Sequence, residues 1–458
     1  GDPTVPTAGY RSIAEEHMHQ CDVLIVGGGF GGALGARSLE RLLRRTTRRI
    51  ALIAPTNFML FSPLLPEAAS GMIEPRHTVI PLREMLRTTI VQIGTVTGID
   101  VATRRAFVTD LNGEDHEIAF DTALLAPGSV PATYPIPGLV EEADGFKTLA
   151  DAIWLRNRLL YQLDAAAATS LPERRRALLT FTFVGGGYAG VEGVAELESL
   201  ARDALLRYPT LSADDFRWVL VEAEDSLLPG LEPALARYTL ANLRGRGIEV
   251  HLGTRMVGCA DRVVQLEPQV VEPYRSDTIV WTAGQRPAPF AAAWGLPTDE
   301  RGFVTVDDRM QVTGLDGIYA VGDFAAVPDP SGDGTAPNTA QHALRQATVA
   351  AANIAARFGV GNGKRYRYRT RGLAVTLGKR MGTAQVRGLA FRGAAAWWMG
   401  RSYHLLMMPG IGRKSRVVAD WTLGMFFPRD VSQLGSLGSP TPLGSSDSPA
   451  PTGSRRRR

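Results

Sequence analysis

Two runs of β-forming apolar residues each end abruptly in glycine. CDVLIV (21–26) leads into GGGFGGALGARSL, and ALLTFTFV (177–184) leads into GGGYAGVEGVAEL. Short runs of this kind, bounded by glycine, predict strands, and the stretch after each turn is compatible with a helix. Three further runs predict strands that stop at a defined residue: RRIALIAPTNF (48–58) at Ala54, FRWVLVEAEDSLLP (216–229) at Glu222, and GIYAVGDFA (317–325) at Gly322-Asp323. TLADAIWLRNRLLYQL (148–163) predicts a helix, and GLAVTLG (372–378) and GTAQVRG (382–388) predict two more strands. Strands alternating with helices predict an α/β chain. The expected fold is two Rossmann-like dinucleotide-binding domains plus a C-terminal region. The first domain would be discontinuous over 20–145 and 300–360, with the second inserted over 146–299. A C-terminal region would follow over 361–436. A flexible segment over 1–19 and a Ser/Pro/Gly-rich tail over 437–458, expected to be disordered, would flank them.

The glycines supply the chemistry. They fall at Gly27, Gly29 and Gly32 and again at Gly185, Gly187 and Gly190, so G-x-G-x-x-G occurs twice, each time between a predicted strand and a predicted helix. In that context the first glycine permits the tight turn, the second lets backbone approach a pyrophosphate, and the third lets helix pack on strand. An ordinary glycine-rich βα turn is the plainer alternative for either copy. Two copies imply two dinucleotides in one chain, which points to electron transfer between a nicotinamide and a flavin. Glu222, closing its strand, suits a ribose 2′-hydroxyl and would repel a 2′-phosphate, favouring NADH; a solvated strand-end acid is the alternative. The corresponding position after the first turn is Ala54, so backbone or Thr56 would have to serve the first ribose. Asp323 reads either as a flavin ribityl or pyrophosphate contact or as an Asx-turn residue.

Composition excludes several classes. The 458 residues are 45% hydrophobic and 21% charged, ordinary for a globular chain of two or three domains. No apolar run is long enough to span a bilayer, and the first twenty residues do not read as a secretory signal. The two cysteines, Cys21 and Cys259, are far apart, which excludes a disulfide scaffold and a redox dithiol. Cys21 opens a strand and reads as a small buried hydrophobe, whereas Cys259 reads as part of a polar loop. The seven histidines form no ligand spacing, so no metal site is expected. The net charge of +4 conceals an asymmetry: residues 361–458 carry 18 Lys and Arg against three acids, or +15, leaving −11 for residues 1–360. Such a region suits an anionic surface. No helix-turn-helix, zinc or RNA-stacking signature supports nucleic acid.

Longer phrases carry a specific resemblance. FMLFSPLLPEAASGMIEPRHTVIPLREML (58–86), LLAPGSVP (124–131), VWTAGQRP (280–287), YAVGD (319–323) and NTAQHA (338–343) resemble the type II NADH:quinone oxidoreductases, single-subunit flavoproteins that do not pump protons. The resemblance runs from about residue 20 to 436. It implies FAD at the first turn, NADH at the second, and a membrane quinone as acceptor. It implies cofactor contacts at Pro63, Gly128, Gly284 and Asp323 and at the pair Ala340-Gln341 by the quinone end of the flavin. Glu192 falls on the family's glutamate near nicotinamide and flavin, and Lys379, in VTLGKR, on a lysine near the isoalloxazine. Arg345 departs from the pattern, standing where many members have a glutamine. Plainer roles remain open: a helix N-terminal acid for Glu192, a cap for Gln341, a solvated turn lysine for Lys379.

The segment WWMGRSYHLLMMPGIGRKSRVVADWTLGMFFPRD (397–430) interleaves Trp397, Trp398, Tyr403, Trp421, Phe426 and Phe427 with Arg401, Arg413, Lys414 and Arg416. It reads as an interfacial pair of helices on the cytoplasmic side of a membrane, or as helices packed on the protein's own core or on a homodimer partner. A soluble reductase serving a protein carrier and a redox sensor with little turnover are the competing functions.

Overall fold

The computed structural model describes residues 19–434 apart from residues 333 and 371. The expected flexible segment before His19 and the basic tail 437–458 lie outside the described residues. In chain order the first elements are β1 (Gln20–Val26), α1 (Phe30–Leu43), β2 (Ile50–Ala54), α2 (Leu65–Ala69), β3 (Ile90–Asp100), β4 (Arg105–Asp110) and β5 (Asp115–Leu125). Next come α3 (Leu149–Ala168), β6 (Thr180–Val184), α4 (Tyr188–Ala204), β7 (Arg217–Val221), β8 (Ile248–His251), β9 (Thr278–Trp281), β10 (Ile318–Ala320) and α5 (Ala340–Arg357). The chain continues through β11 (Gly372–Thr376), β12 (Gly382–Val386), β13 (Leu389–Arg392), α6 (Gly393–Met407) and α7 (Ile411–Phe426).

The chain forms two compact units. Unit 1 comprises Val79–Val130, Gln285–Thr370 and the described part of Gly1–Leu60. Its parallel layer has the order β3-β2-β1-β5-β10. β2, IALIA, is buried at every position, as expected for a parallel strand covered on both faces. β3 and β5 are long enough to leave this layer and pair antiparallel with β4. The helices α1 and α5 pack against each other.

Unit 2 comprises Phe61–Thr78, Pro131–Gly284 and the described part of Arg371–Arg458. Its parallel sheet runs β8-β7-β6-β9 and ends on the short strand Ala143–Gly145. β6, TFTFV, is buried throughout. Thr148 and Asp151 form a reciprocal cap that starts α3 at the expected place. β11, β12 and β13 form an antiparallel sheet on which α6 packs.

These units divide the chain differently from the expected domains. Residues 61–78 and 372–434 belong to unit 2, whereas the sequence pattern put the first stretch in the flavin domain and set the second apart. The reason is a narrow neck. Phe58–Leu60 pairs antiparallel with Val79–Pro81 in unit 1, and the Phe61 N–H donates to the Thr78 carbonyl at 2.8 Å in unit 2. The chain between is free to bury Leu64, Leu65 and Ala68 elsewhere. Cys21 is buried as expected, and burial pushes its thiol up to about 12. Cys259 is not in a polar loop: it lies in the core formed by Val219, Val221, Met256 and Ile279, and burial pushes its thiol up to about 11. Among the described residues no helix is long and apolar enough to cross a membrane.

Candidate active site

The two glycine turns are built alike. Gly27 and Gly185 sit at φ +102° and +112°, a region closed to most side chains, which lets each strand reverse into its helix. A Cβ on Gly32 would stand 1.8 Å from the Gly27 carbonyl oxygen, and one on Gly190 would stand 1.9 Å from the Gly185 oxygen. Helix and strand therefore touch through backbone. Gly29 and Gly187 cap α1 and α4 without any side-chain hydrogen bond, and a Cβ on either would meet nothing within 4 Å. Each turn thus presents bare helix N–H groups beside open space, which suits a phosphate. The residues present fit a dinucleotide at both turns.

The strand ends differ. In unit 2, Glu222 Oε2 accepts from the Gly186 N–H at 2.5 Å, and its Oε1 accepts from the Glu224 N–H at 2.8 Å. The carboxylate is thereby fixed against the second turn and only half-buried, with lone pairs left for a ribose diol. In unit 1 the equivalent place is the buried methyl of Ala54, and the Thr56 hydroxyl donates to the Phe58 carbonyl at 3.0 Å. Asp323 is no turn cap: its Oδ2 accepts from the Ser129 hydroxyl at 3.0 Å, while the neighbouring Gly322 N–H is held by Gln346 Oε1 at 2.8 Å. Gly128 and Gly284 both adopt positive φ, +81° and +76°. The Gly128 carbonyl accepts from Ala288 in unit 1, and Gly284 lies against Tyr134 and Ala132 in unit 2. Pro63 opens the short helical turn Ser62–Leu64 and so falls in unit 2.

Glu192 is not on the first turn of its helix. α4 starts at Tyr188, so Glu192 is one turn in, and its partner is a strand rather than the helix N-terminus. Its Oε1 accepts from the Thr376 N–H at 2.8 Å and the Thr376 hydroxyl at 3.3 Å. Burial outweighs these bonds and pushes the carboxyl up to about 8. Thr376 ends β11, and three residues on Lys379 stands exposed in the turn to β12. In unit 1, Gln341 does not cap α5, because the Thr339 hydroxyl takes the His342 N–H at 3.4 Å. Instead Gln341 Oε1 accepts from the Tyr368 hydroxyl at 2.9 Å. Ala340 is the first residue of α5 and is partly exposed.

A buried charge cluster lies deeper in unit 2. Glu67, in LPEAA, is 2% exposed. It accepts from Arg401 Nε at 3.1 Å and from the Trp421 indole N–H at 2.5 Å. The Arg401 guanidinium lies over Trp397 at 3.6 Å and over Trp421 at 4.7 Å. Trp397, Trp421 and Arg401 are therefore core residues, not parts of an interfacial face. They turn inward because the Glu67 carboxylate pairs with the guanidinium and two indole faces cover a charge that would be costly to bury alone.

Residues 21–347 match the family model described as pyridine nucleotide-disulphide oxidoreductase. The chain is 31% identical to the type II NADH:quinone oxidoreductase Ndh of Mycobacterium tuberculosis over 415 residues, covering 88% of this chain and 87% of that one. The chain belongs to the type II NADH:quinone oxidoreductase family. Its similarity to NdhA of the same organism is 27% over 416 residues, again 88% of this chain and 87% of the other. The structure of NDH2 from Plasmodium falciparum in complex with NADH superposes with a TM-score of 0.81, covering 91% of this chain and 100% of that one at 16% identity, a likeness of fold. As a member of the type II family the chain is an oxidoreductase that uses FAD and NADH.

Three residues outside the expected set stand out in the two units: Glu67 and Thr376 in unit 2, and Tyr368 in unit 1. Glu67 gives no sequence signal beyond lying in a phrase shared with the family. Thr376 is one of many strand threonines. Tyr368 does leave a trace: RYRYRT (365–370) alternates base with hydroxyl, the period of an extended chain with one face turned inward.

Proposed function

We propose that the chain, a type II enzyme that passes electrons from NADH through FAD to a quinone, does so resting on the cytoplasmic face of the membrane and pumping no protons. The carrying observation is the pair of like glycine turns, one in each unit, each with an uncapped helix N-terminus. Bound FAD supplies the two-electron acceptor that NADH reduces and a quinone reoxidises. The first turn, with Asp323 and Gly128, holds FAD by backbone N–H groups and a carboxylate. The second turn holds NADH, and Glu222 receives its ribose hydroxyls.

Glu192 handles a proton. With Oε1 engaged by Thr376, the proton sits on Oε2, and a carboxyl near 8 is protonated at neutral pH and able to give it up. Gln341, in unit 1, donates to the quinone carbonyl. The outer faces of α6 and α7 support attachment: Leu406, Ile411 and Phe426 are 74%, 85% and 76% exposed, and Trp398, Leu423 and Phe427 join them. Such a surface, accompanied by Lys414 and Arg416, suits an anionic bilayer, which is where a long-chain quinone resides.

The test is turnover of the FAD-loaded protein. NADH oxidation should require an added quinone and exceed NADPH oxidation. Equal rates with and without quinone, or transfer only to a protein carrier, would refute the assignment.

A further inference from the structure

The departure at Arg345 has a structural counterpart at the N-terminus of α5. Along the segment 365–370 the three arginines are exposed, and the three hydroxyls of RYRYRT are the groups that meet α5. The Tyr366 hydroxyl is 2.7 Å from His342 Nδ1, and the Thr370 hydroxyl is 2.9 Å from His342 Nε2. Between them, the Tyr368 hydroxyl donates to Gln341 Oε1 at 2.9 Å. His342 is 2% exposed, and its ring meets the Tyr368 ring edge-on at 5.1 Å. Arg345 closes the arrangement. Its guanidinium lies 3.8 Å from the centre of the Tyr368 ring, and its Nη1 donates to the Gln341 carbonyl oxygen at 2.8 Å. The ring of Tyr368 is thus held on one face by a cation and on its edge by a fixed imidazole.

An amide side chain offers an acceptor at one end and a donor at the other, and the two ends differ little in shape. Which end faces a ligand is decided by what holds the opposite end. A quinone carbonyl accepts only, so a glutamine serves it only with the nitrogen end forward. A phenol hydroxyl committed to Oε1 enforces that orientation, and a guanidinium on the ring face strengthens the phenol as a donor. We propose that Tyr368, braced by Arg345, is the positioning residue of Gln341, committing the amide oxygen so that Gln341 meets the quinone as a donor. This rests on the reading of Gln341 as the quinone-side donor.

The experiment uses the FAD-loaded full chain and the variants Tyr368→Phe, Gln341→Leu and their combination. Tyr368→Phe keeps the ring, and with it the contacts to Arg345 and His342, but removes the hydroxyl. The readouts are the KM for a short-chain quinone, the Kd of the same quinone for the oxidised protein from tryptophan fluorescence, and the rate of FAD reduction by NADH. Loss of one neutral hydrogen bond that fixes a donor corresponds to a rise of about fivefold in KM and Kd. FAD reduction should change by less than about twofold, within the scatter of an uninvolved site. In the Gln341→Leu background the Tyr368→Phe change should have no further effect, since there is no amide left to orient. A Tyr368 effect that persists in that background overturns the proposal, as does unchanged KM and Kd in Tyr368→Phe alone. Gln341→Leu with unchanged KM and Kd removes the underlying reading of Gln341 itself, an outcome separate from either. If Tyr368→Phe fails to retain FAD, Arg345→Lys, which loses the planar stack but leaves the hydroxyl, must raise KM in a Gln341-dependent way, and failure to do so overturns the proposal.

Discussion

Replacing Glu192 by Gln should change how the protein responds to pH in a calculable way. The amide oxygen can still accept from the Thr376 N–H, so the strand-to-helix tie is kept and only the titration is lost. In the wild type the carboxyl is pushed from 4.5 to about 8, chiefly by burial. The folded state therefore keeps a proton that the unfolded chain has already released, so the folded state binds more protons across this window. Stability then falls as pH rises from about 4.5 to about 8 and is level above it. The shift corresponds to a ceiling of about 5 kcal/mol. Water at the half-buried side chain screens part of this, leaving about 2–3 kcal/mol. Thermal unfolding of FAD-loaded protein should show the Glu192→Gln variant gaining on the wild type from pH 5 to 8, with a constant lead beyond. Quinone reduction by the wild type should fall above pH 8, whereas the variant should be slow throughout and lack that limb. A stability difference independent of pH, or the same descending limb in the variant, would refute the reasoning.

Glu222→Gln leaves an amide nitrogen facing a backbone donor and removes the charge a 2′-phosphate would meet. The NADH-over-NADPH ratio of kcat/KM should fall by roughly 1–3 kcal/mol in equivalent terms, and an unchanged ratio would refute the assignment. Arg401→Met strands the buried Glu67 carboxylate and should cost about 3–5 kcal/mol in denaturant unfolding, while the pair of changes Glu67→Leu and Arg401→Met should recover much of it. Serine at Ile411, Leu423 and Phe426 together should release the protein from vesicles containing anionic lipid and leave NADH-dependent FAD reduction in place. High salt should release the wild type only in part, since apolar burial is not screened. Wild type remaining in the supernatant of a low-salt vesicle sedimentation would defeat the membrane reading and point to a second copy of the chain on that face.

The strand–glycine–helix units were legible because each depends on local chemistry: an apolar run, a residue at positive φ and a third glycine where backbone meets backbone. Glu222 was legible as a strand-end acid for the same reason. The C-terminal helices were half legible. Their composition advertises aromatic and basic residues, but not which face is inward, and Trp397 and Trp421 turned out to enclose Arg401 because of Glu67, more than three hundred residues earlier. The partner of Glu192 was hidden for the same reason, since Thr376 reaches it from a distant strand. Pairing across such separations leaves no periodic trace in the chain.

The separation has a consequence for how the molecule is made. Glu67 waits for an indole 354 residues further along the chain. At about 5–20 residues per second, roughly 20 to 70 s pass between the appearance of the carboxylate and that of its last partner. Throughout that interval the LPEAA segment has no finished place to settle, and α6 and α7, which bear the exposed apolar face, do not yet exist. The exposed apolar face of α6 and α7 thus appears together with the residues that neutralise Glu67. Synthesis that stops before Arg401 yields a chain in which Glu67 has neither its guanidinium nor its indole partner.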